Sequence, residues 1–257
     1  MTTLYLLSTG PGDIDYLPPI AKKALQESQY LVAYGLYLDL LGDLIDKKQC
    51  YQLPLGQEVE RARLALNLAS EGKTTALLSS GDIGIYAMAS LVFELLDHPQ
   101  EQANHPQWKS IHIEVIAGIS AIQTLASRVG APIAHDFCTI SLSDLLTPWE
   151  VIEKRLHNAG KGDFVIAFYN PVSRKRQWQL ETAQQILLNY RPKETPVMIG
   201  KNLSRKNETI IHTTLEELDI KQVDMLTLVI VGNCETQRIQ TTQGQWVYTP
   251  RGYGKTL

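Results

Sequence analysis

The chain has 257 residues, 44% hydrophobic and 20% charged, with a formal net charge of −3, the make-up of an ordinary globular protein of one or two domains rather than of a bulk nucleic-acid binder, which needs a basic footprint. Its three cysteines, Cys50, Cys138 and Cys234, are odd in number and far apart. That spacing excludes a disulfide framework and a sequence-local zinc or iron–sulfur site, and it points to a reducing cytoplasm; nothing reads as a signal peptide or as the ~20-residue apolar run of a membrane span.

Residues 4–7 form a predicted strand, and Gly10-Pro11-Gly12-Asp13 leaves its end as a small-residue turn. Pro18 opens a predicted helix with Ile20, Ala21, Ala24 and Leu25 on one apolar face. A strand over 30–34 follows, then a helix over 58–70 in which Val59, Ala62, Leu66 and Ala69 recur every three or four positions. The strand 75–79 runs into a second glycine-and-aspartate turn, Ser80-Gly81-Asp82-Ile83-Gly84-Ile85-Tyr86. The helix after it repeats at Met88, Leu91, Val92, Leu95 and Leu96. The polar stretch 98–108, with Pro99 and Pro106, reads as a loop. The strand 111–116 leads to Gly118-Ile119-Ser120-Ala121 and a helix through Ala121, Leu125 and Ala126. Apolar strands separated by helices predict a mostly parallel sheet covered on both faces.

Gly130-Ala131-Pro132 breaks this alternation and sets a boundary between domains 1–132 and 133–257. The second half restarts with a strand at 139–142, a helix from Pro148, a strand at 163–169 and a helix near 177–189. Strands at 196–200, 209–213 and 226–232 follow. Successive strands without a long helix between them predict a mixed sheet.

A small-residue turn at a strand end lets the backbone approach a ligand closely, with amides free to donate hydrogen bonds. Two such turns in one domain predict a cleft that grips a small molecule by its main chain. Other motifs fall short of their templates. Gly72-Lys73-Thr74 looks like the tail of a phosphate loop, but Asn67 stands where the upstream glycine is needed, and the triplet precedes its strand. Gly118-Ile119-Ser120-Ala121-Ile122 lacks the last glycine of a nucleophile elbow. Gly10 and Gly12 have no third glycine to complete a dinucleotide fingerprint, which leaves a hydride-transfer enzyme as a weak alternative. His98, His105 and His112 are evenly spaced, but prolines interrupt them, so they read as solvated loop or strand residues rather than metal ligands. Arg174-Lys175-Arg176, after Tyr169-Asn170-Pro171, is either a solvated helix start or a cluster that binds carboxylates or phosphates. Lys201, Arg205, Lys206 and Arg251 would extend such a cluster if the chain folds back.

In their order at strand ends, Gly10-Pro11-Gly12-Asp13, Ser80-Gly81-Asp82 with Gly84-Ile85-Tyr86, and Gly118-Ile119-Ser120-Ala121 resemble the tetrapyrrole methylases. These are S-adenosylmethionine-dependent enzymes with two α/β domains, and the resemblance spans essentially the whole chain. Three longer strings narrow it: residues 130–149, Tyr169-Asn170-Pro171 with Ser173-Arg174-Lys175-Arg176, and Thr249-Pro250-Arg251-Gly252-Tyr253. They look like the ring-contracting branch of cobalamin biosynthesis. Departures are Ser8 for a usual glycine, Pro18 for a threonine and Ala117 for a proline.

The resemblance implies a mostly parallel sheet in the first domain, a mixed sheet in the second and an active-site cleft between them. It implies S-adenosylmethionine as methyl donor and S-adenosylhomocysteine as product. Pro11, Ser80, Gly81, Asp82, Ile85, Ser120 and Ala121 would line the cofactor from the first domain, with main-chain groups of the second turn suited to its amino-acid end. Asn170 and Leu203 would touch it from the second. The acceptor would be a precorrin macrocycle, metal-free or cobalt-bound, methylated at carbon 17 as the ring contracts. Its carboxylates would pair with Arg174 and Arg176, Lys175 adding field. Ring contraction needs proton transfers, for which Asp82, Asp144, Ser143 and His135 are the candidates; His135 and Asp136 alternatively only pin the linker, and Asp13 only holds its turn. A cytoplasmic homodimer without metal, membrane or nucleic-acid partner completes the expectation. A family member acting at another carbon, or a non-catalytic tetrapyrrole carrier, stays open.

Overall fold

The computed structural model describes residues 2–173 and 176–255. The chain divides into two compact units, Met1–Ser120 and Ala121–Leu257.

The first unit holds β1 (Thr3–Ser8), α1 (Pro19–Glu27), β2 (Tyr30–Ala33), α2 (Gly35–Asp39), β3 (Gln49–Gln52), α3 (Glu58–Ser70), β4 (Thr75–Ser79), α4 (Met88–Asp97), α5 (Pro99–Asn104) and β5 (His112–Ile116). Its five strands are parallel, in the order β3-β2-β4-β1-β5. Along β1 and β4 successive side chains point to opposite faces. Leu4, Leu6 and Leu77 pack with α3 and α4, and Tyr5, Leu7, Ala76 and Leu78 pack with α1 and α2. Both faces are covered, so these strands are apolar at nearly every position. Pro19 starts α1, where its missing N–H costs nothing. Ala21, Ala24 and Leu25 are buried, but Ile20, expected on the same face, is exposed.

The helix connecting β1 to β2 lies on one face and the helix following β4 on the other. The adjacent carboxyl ends of β1 and β4 therefore flank the sheet's topological switch point, where open α/β sheets bind ligands.

The stretch 98–108 is not a loop. Pro99 and Pro106 sit in the first turns of α5 and of a 3₁₀ turn (Pro106–Ser110), the positions that tolerate proline. Trp108 is 2% exposed, its Nε1–H donates to Asn67 Oδ1 at 3.0 Å, and the His105 ring stacks on it at 4.2 Å. Glu101 accepts from Arg63, which holds its carboxyl below the usual range.

The second unit holds α6 (Ala121–Val129), β6 (Gly130–Ala131), β7 (Phe137–Ser141), α7 (Trp149–Lys161), β8 (Val165–Tyr169), α8 (Trp178–Leu188), β9 (Pro196–Lys201), β10 (Thr209–Thr214), β11 (Thr227–Val231), β12 (Gln237–Thr241) and β13 (Gly244–Tyr248). Its main sheet runs β10-β9-β11-β8-β7. Only β7 and β8 pair parallel within it, so it is mixed. The small sheet β12-β13-β6 stands beside it. Residues of α7 and α8 cover one face of the main sheet. On the other, Ile122, Leu125 and Val129 of α6 pack with Met198, Leu228, Ile230 and Val247. The helix after Gly118 thus belongs to the second unit, which moves the division from 132/133 to 120/121. Its apolar stripe shows that it packs, not on which sheet. Among the described residues no helix is long and apolar enough to cross a membrane.

Candidate functional site

In the first unit three turns leave the neighbouring carboxyl ends of β4, β1 and β5. Gly10 and Gly81 exchange main-chain hydrogen bonds: Gly81 N–H donates to Gly10 O at 2.7 Å and Gly10 N–H to Gly81 O at 3.2 Å. Both lie in the left-handed region, at φ +76° and +69°, which glycine enters without a steric penalty. The Ser80 hydroxyl donates to Gly10 O at 3.3 Å. Fully buried Ser8 adds a second tie, its hydroxyl donating to Ile116 O at 2.6 Å and accepting the Ile83 N–H at 2.8 Å. The serine that departs from the family pattern therefore joins the ends of β1 and β5 to the second turn.

Asp82 closes the arrangement. Its Oδ1 accepts Gly84 N–H at 2.8 Å and its Oδ2 accepts Gly118 N–H at 2.9 Å. A Cβ on Gly118 would stand 2.4 Å from Ser8 Cβ and 2.5 Å from Gly81 O, so only glycine lets the third turn close on the other two. Pro11 and Ser120 are buried and Ser80, Gly81 and Ile85 half-buried around this knot. The amides of Gly81, Ile83, Gly84 and Ile85 all serve protein acceptors. What the second turn keeps for a ligand is carbonyl lone pairs, not the amides expected of it. The three turns contain no lysine or arginine; their charges are Asp13 and Asp82.

In the second unit, Asn170 follows β8 in the left-handed region at φ +49° and donates from Nδ2 to Ser141 Oγ at 3.0 Å. Ser143 N–H donates to the same oxygen at 3.3 Å. Tyr169 Oη accepts the Ile122 N–H at 3.2 Å and so holds the start of α6 beside Ala121, a role that an apolar strand ending in tyrosine did not announce.

Arg176 is not a surface cation. It is 8% exposed, and its Nη1 donates to Leu142 O at 2.7 Å and Asn170 O at 2.9 Å. Its Nε lies 3.7 Å from Asp144 Oδ1, and burial lowers its pKa against the opposing pull of Asp144. Asp144 Oδ2 also accepts from Gln179 Nε2 at 3.0 Å. The pair clasps the carboxyl ends of β7 and β8 and has no free face for a substrate carboxylate. Arg174 and Lys175 lie outside the described residues. Lys201, a proposed extension of the patch, pairs with Asp224 at 2.5 Å.

Leu203 is buried in the core, its Cδ2 2.8 Å from where a Cβ on Gly200 would stand; only its main chain is left for a ligand. The acid–base candidates are not one constellation. Ser143 and Asp144 follow β7, whereas His135 precedes it, and a five-residue strand spans about 16 Å. Among the described residues no group of three or more histidines, cysteines and carboxylates could hold a metal.

The model of the tetrapyrrole (corrin/porphyrin) methylases matches residues 3–219, and the chain belongs to that family. Over 252 residues it is 40% identical to a precorrin-3B C(17)-methyltransferase of Sinorhizobium sp, covering 98% of this chain and 97% of that one. It is 43% identical over 253 residues to a cobalt-factor III methyltransferase of Priestia megaterium, a longer protein of which it spans 45%, with 97% of this chain covered. The crystal structure of the methyltransferase CobJ superposes with a TM-score of 0.88 at 34% identity, covering 97% of this chain and all of the other.

Proposed function

We propose that this chain transfers the methyl group of S-adenosylmethionine to carbon 17 of precorrin-3B or its cobalt form, with contraction of the macrocycle. The observation that carries this is the end-to-end match to the Sinorhizobium enzyme.

The residues at the switch point fit S-adenosylmethionine. The glycine cradle brings three backbones together, and the absence of lysine and arginine from its turns suits a cationic sulfonium. The same charge pattern disfavours a dinucleotide. So does the start of α1 at Pro19, because no helix N-terminus meets the first turn to hold a pyrophosphate. When bound, the cofactor supplies a methyl group on a sulfonium whose positive charge disappears as the methyl leaves. The chain's own task is then alignment and exclusion of water. Pro11, Ser80, Gly81, Ile85 and Ser120 form the first unit's contact surface, Ile85 offering apolar area to the adenosine. Ala121, Asn170 and the main chain of Leu203 are the second unit's contacts. Asp82 and Asp144, each engaged by two donors, are positioning residues, and Arg176 positions Asn170. A homodimer in the cytoplasm is carried over from the family resemblance; light scattering on the purified protein checks its dimeric part.

The test is incubation of the purified protein with S-adenosylmethionine and precorrin-3B or cobalt-factor III. Expected are a gain of one methyl group by mass and the absorption change of a contracted macrocycle. A methylated, uncontracted product would reassign the chain to another carbon. Binding of the macrocycle without consumption of S-adenosylmethionine would make it a carrier.

A further inference from the structure

With Arg176 buried, the macrocycle's carboxylates need another cation, and the second unit offers one. Segments 132–136, 233–236 and 249–254 converge on a cavity of about 320 Å³ lined by His135, Glu235, Pro250, Arg251, Gly252 and Gly254. A buried polar network fixes its walls. The Thr249 hydroxyl donates to Pro132 O at 2.6 Å and receives the Thr236 hydroxyl at 2.9 Å. Thr236 Oγ1 accepts the Asn233 N–H at 2.8 Å, Asn233 Oδ1 accepts the Glu235 N–H at 3.1 Å, and the Thr249 N–H donates to Ala131 O at 3.1 Å. Thr249, Thr236 and Asn233 are all buried. A satisfied network of this kind rigidifies the backbone around it, which is what a binding site needs of its support.

The lining is chemically one-sided. Arg251 is exposed, and among the described residues no hydrogen bond or ion pair engages its guanidinium. His135 Nδ1 accepts the Asp136 N–H at 2.7 Å, which puts the neutral ring's proton on Nε2 as a donor. Gly252, at φ +91°, reverses the chain beside them. Glu235 tempers this positive field, so a free small anion is held weakly. A carboxylate tethered to a larger bound molecule arrives at high effective concentration and is held well.

We propose that this cavity binds one peripheral carboxylate arm of the tetrapyrrole, with Arg251 as its pairing cation and His135 Nε2–H as a second donor. The proposal rests on the reading that a tetrapyrrole is the substrate. The other source of the same chemistry is the methionine carboxylate of the cofactor, which the experiment separates.

The experiment compares wild type, Arg251→Gln and Arg251→Lys at full length. It reads KM and kcat with cobalt-factor III and affinity for S-adenosylhomocysteine by calorimetry. Thermal melts establish that the variants are folded. Expected for Arg251→Gln is a KM raised about tenfold, with kcat within about threefold and unchanged S-adenosylhomocysteine affinity; Arg251→Lys, which keeps the charge but not the fork, falls between. An unchanged KM in Arg251→Gln beside normal wild-type turnover would overturn the site and leave the function standing. An equal loss of S-adenosylhomocysteine affinity would assign the carboxylate to the cofactor and overturn it too. A wild type that turns over neither cobalt-factor III nor precorrin-3B would remove the function and the site together.

Discussion

Asp82→Asn separates a positioning carboxylate from a catalytic one. In the native site both oxygens accept amide N–H groups, from Gly84 and Gly118. Asparagine has one acceptor oxygen, and its NH₂ must face the other donor. The variant loses one hydrogen bond to a charged acceptor, about 1.5–3 kcal/mol, and turns the second contact repulsive. A loss near 2 kcal/mol lowers the melting temperature by about 4–8 °C for a chain of this size. The Gly118 turn is no longer tied to the second turn, so S-adenosylhomocysteine affinity falls about tenfold if roughly 1.4 kcal/mol of the loss appears in binding. Thermal melting, calorimetry with S-adenosylhomocysteine and turnover are measured on the same preparations. Wild-type melting and affinity combined with a kcat reduced about 10²–10⁴-fold would refute the positioning role and place Asp82 in proton transfer.

Arg176→Lys replaces a fork that reaches two carbonyls by a single ammonium; it should destabilise by about 1–3 kcal/mol in urea unfolding, and an unchanged midpoint would contradict the clasp. Trp108→Phe keeps most of the buried ring but leaves Asn67 Oδ1 without its donor, a loss of about 1–2 kcal/mol by the same assay. The Tyr5 hydroxyl donates to Glu27 at 2.5 Å, and that bond, helped by burial, pushes its pKa from 10.0 up to about 12. A raised folded-state value stabilises fully below the unfolded one and is lost as pH rises through the folded one. The advantage of wild type over Tyr5→Phe should therefore be constant below pH 10 and shrink as pH approaches about 12; a difference independent of pH would disprove the coupling.

The elements legible in the sequence are those whose periodicity is set by a covered face. The helix at Glu58–Ser70 and the strand at Thr75–Ser79 fall where their apolar spacing puts them. β12 and β13 went unread because most of their residues are exposed or half-buried, so little apolar alternation remains. α5 and the 3₁₀ turn were hidden by prolines that read as breakers but occupy first turns. At the candidate site, the glycine turns could be read because a close backbone approach demands glycine. The direction of Arg176 could not, because a basic run looks the same whether its last arginine faces water or two buried carbonyls. The separation of His135 from Ser143 and Asp144 likewise depends on which end of β7 each residue occupies.

The knot at the ends of β1, β4 and β5 is tied largely by main-chain atoms, and this shapes how the chain tolerates change. Replacing Ile85 alters one wall and leaves the knot in place. A methyl group on Gly10 would meet Tyr16 O at 2.7 Å, and one on Gly118 would meet Gly81 O at 2.5 Å. Around the switch point, substitutions of side chains can retune the fit for a ligand one position at a time, whereas an added Cβ at either glycine disturbs all three strand ends at once.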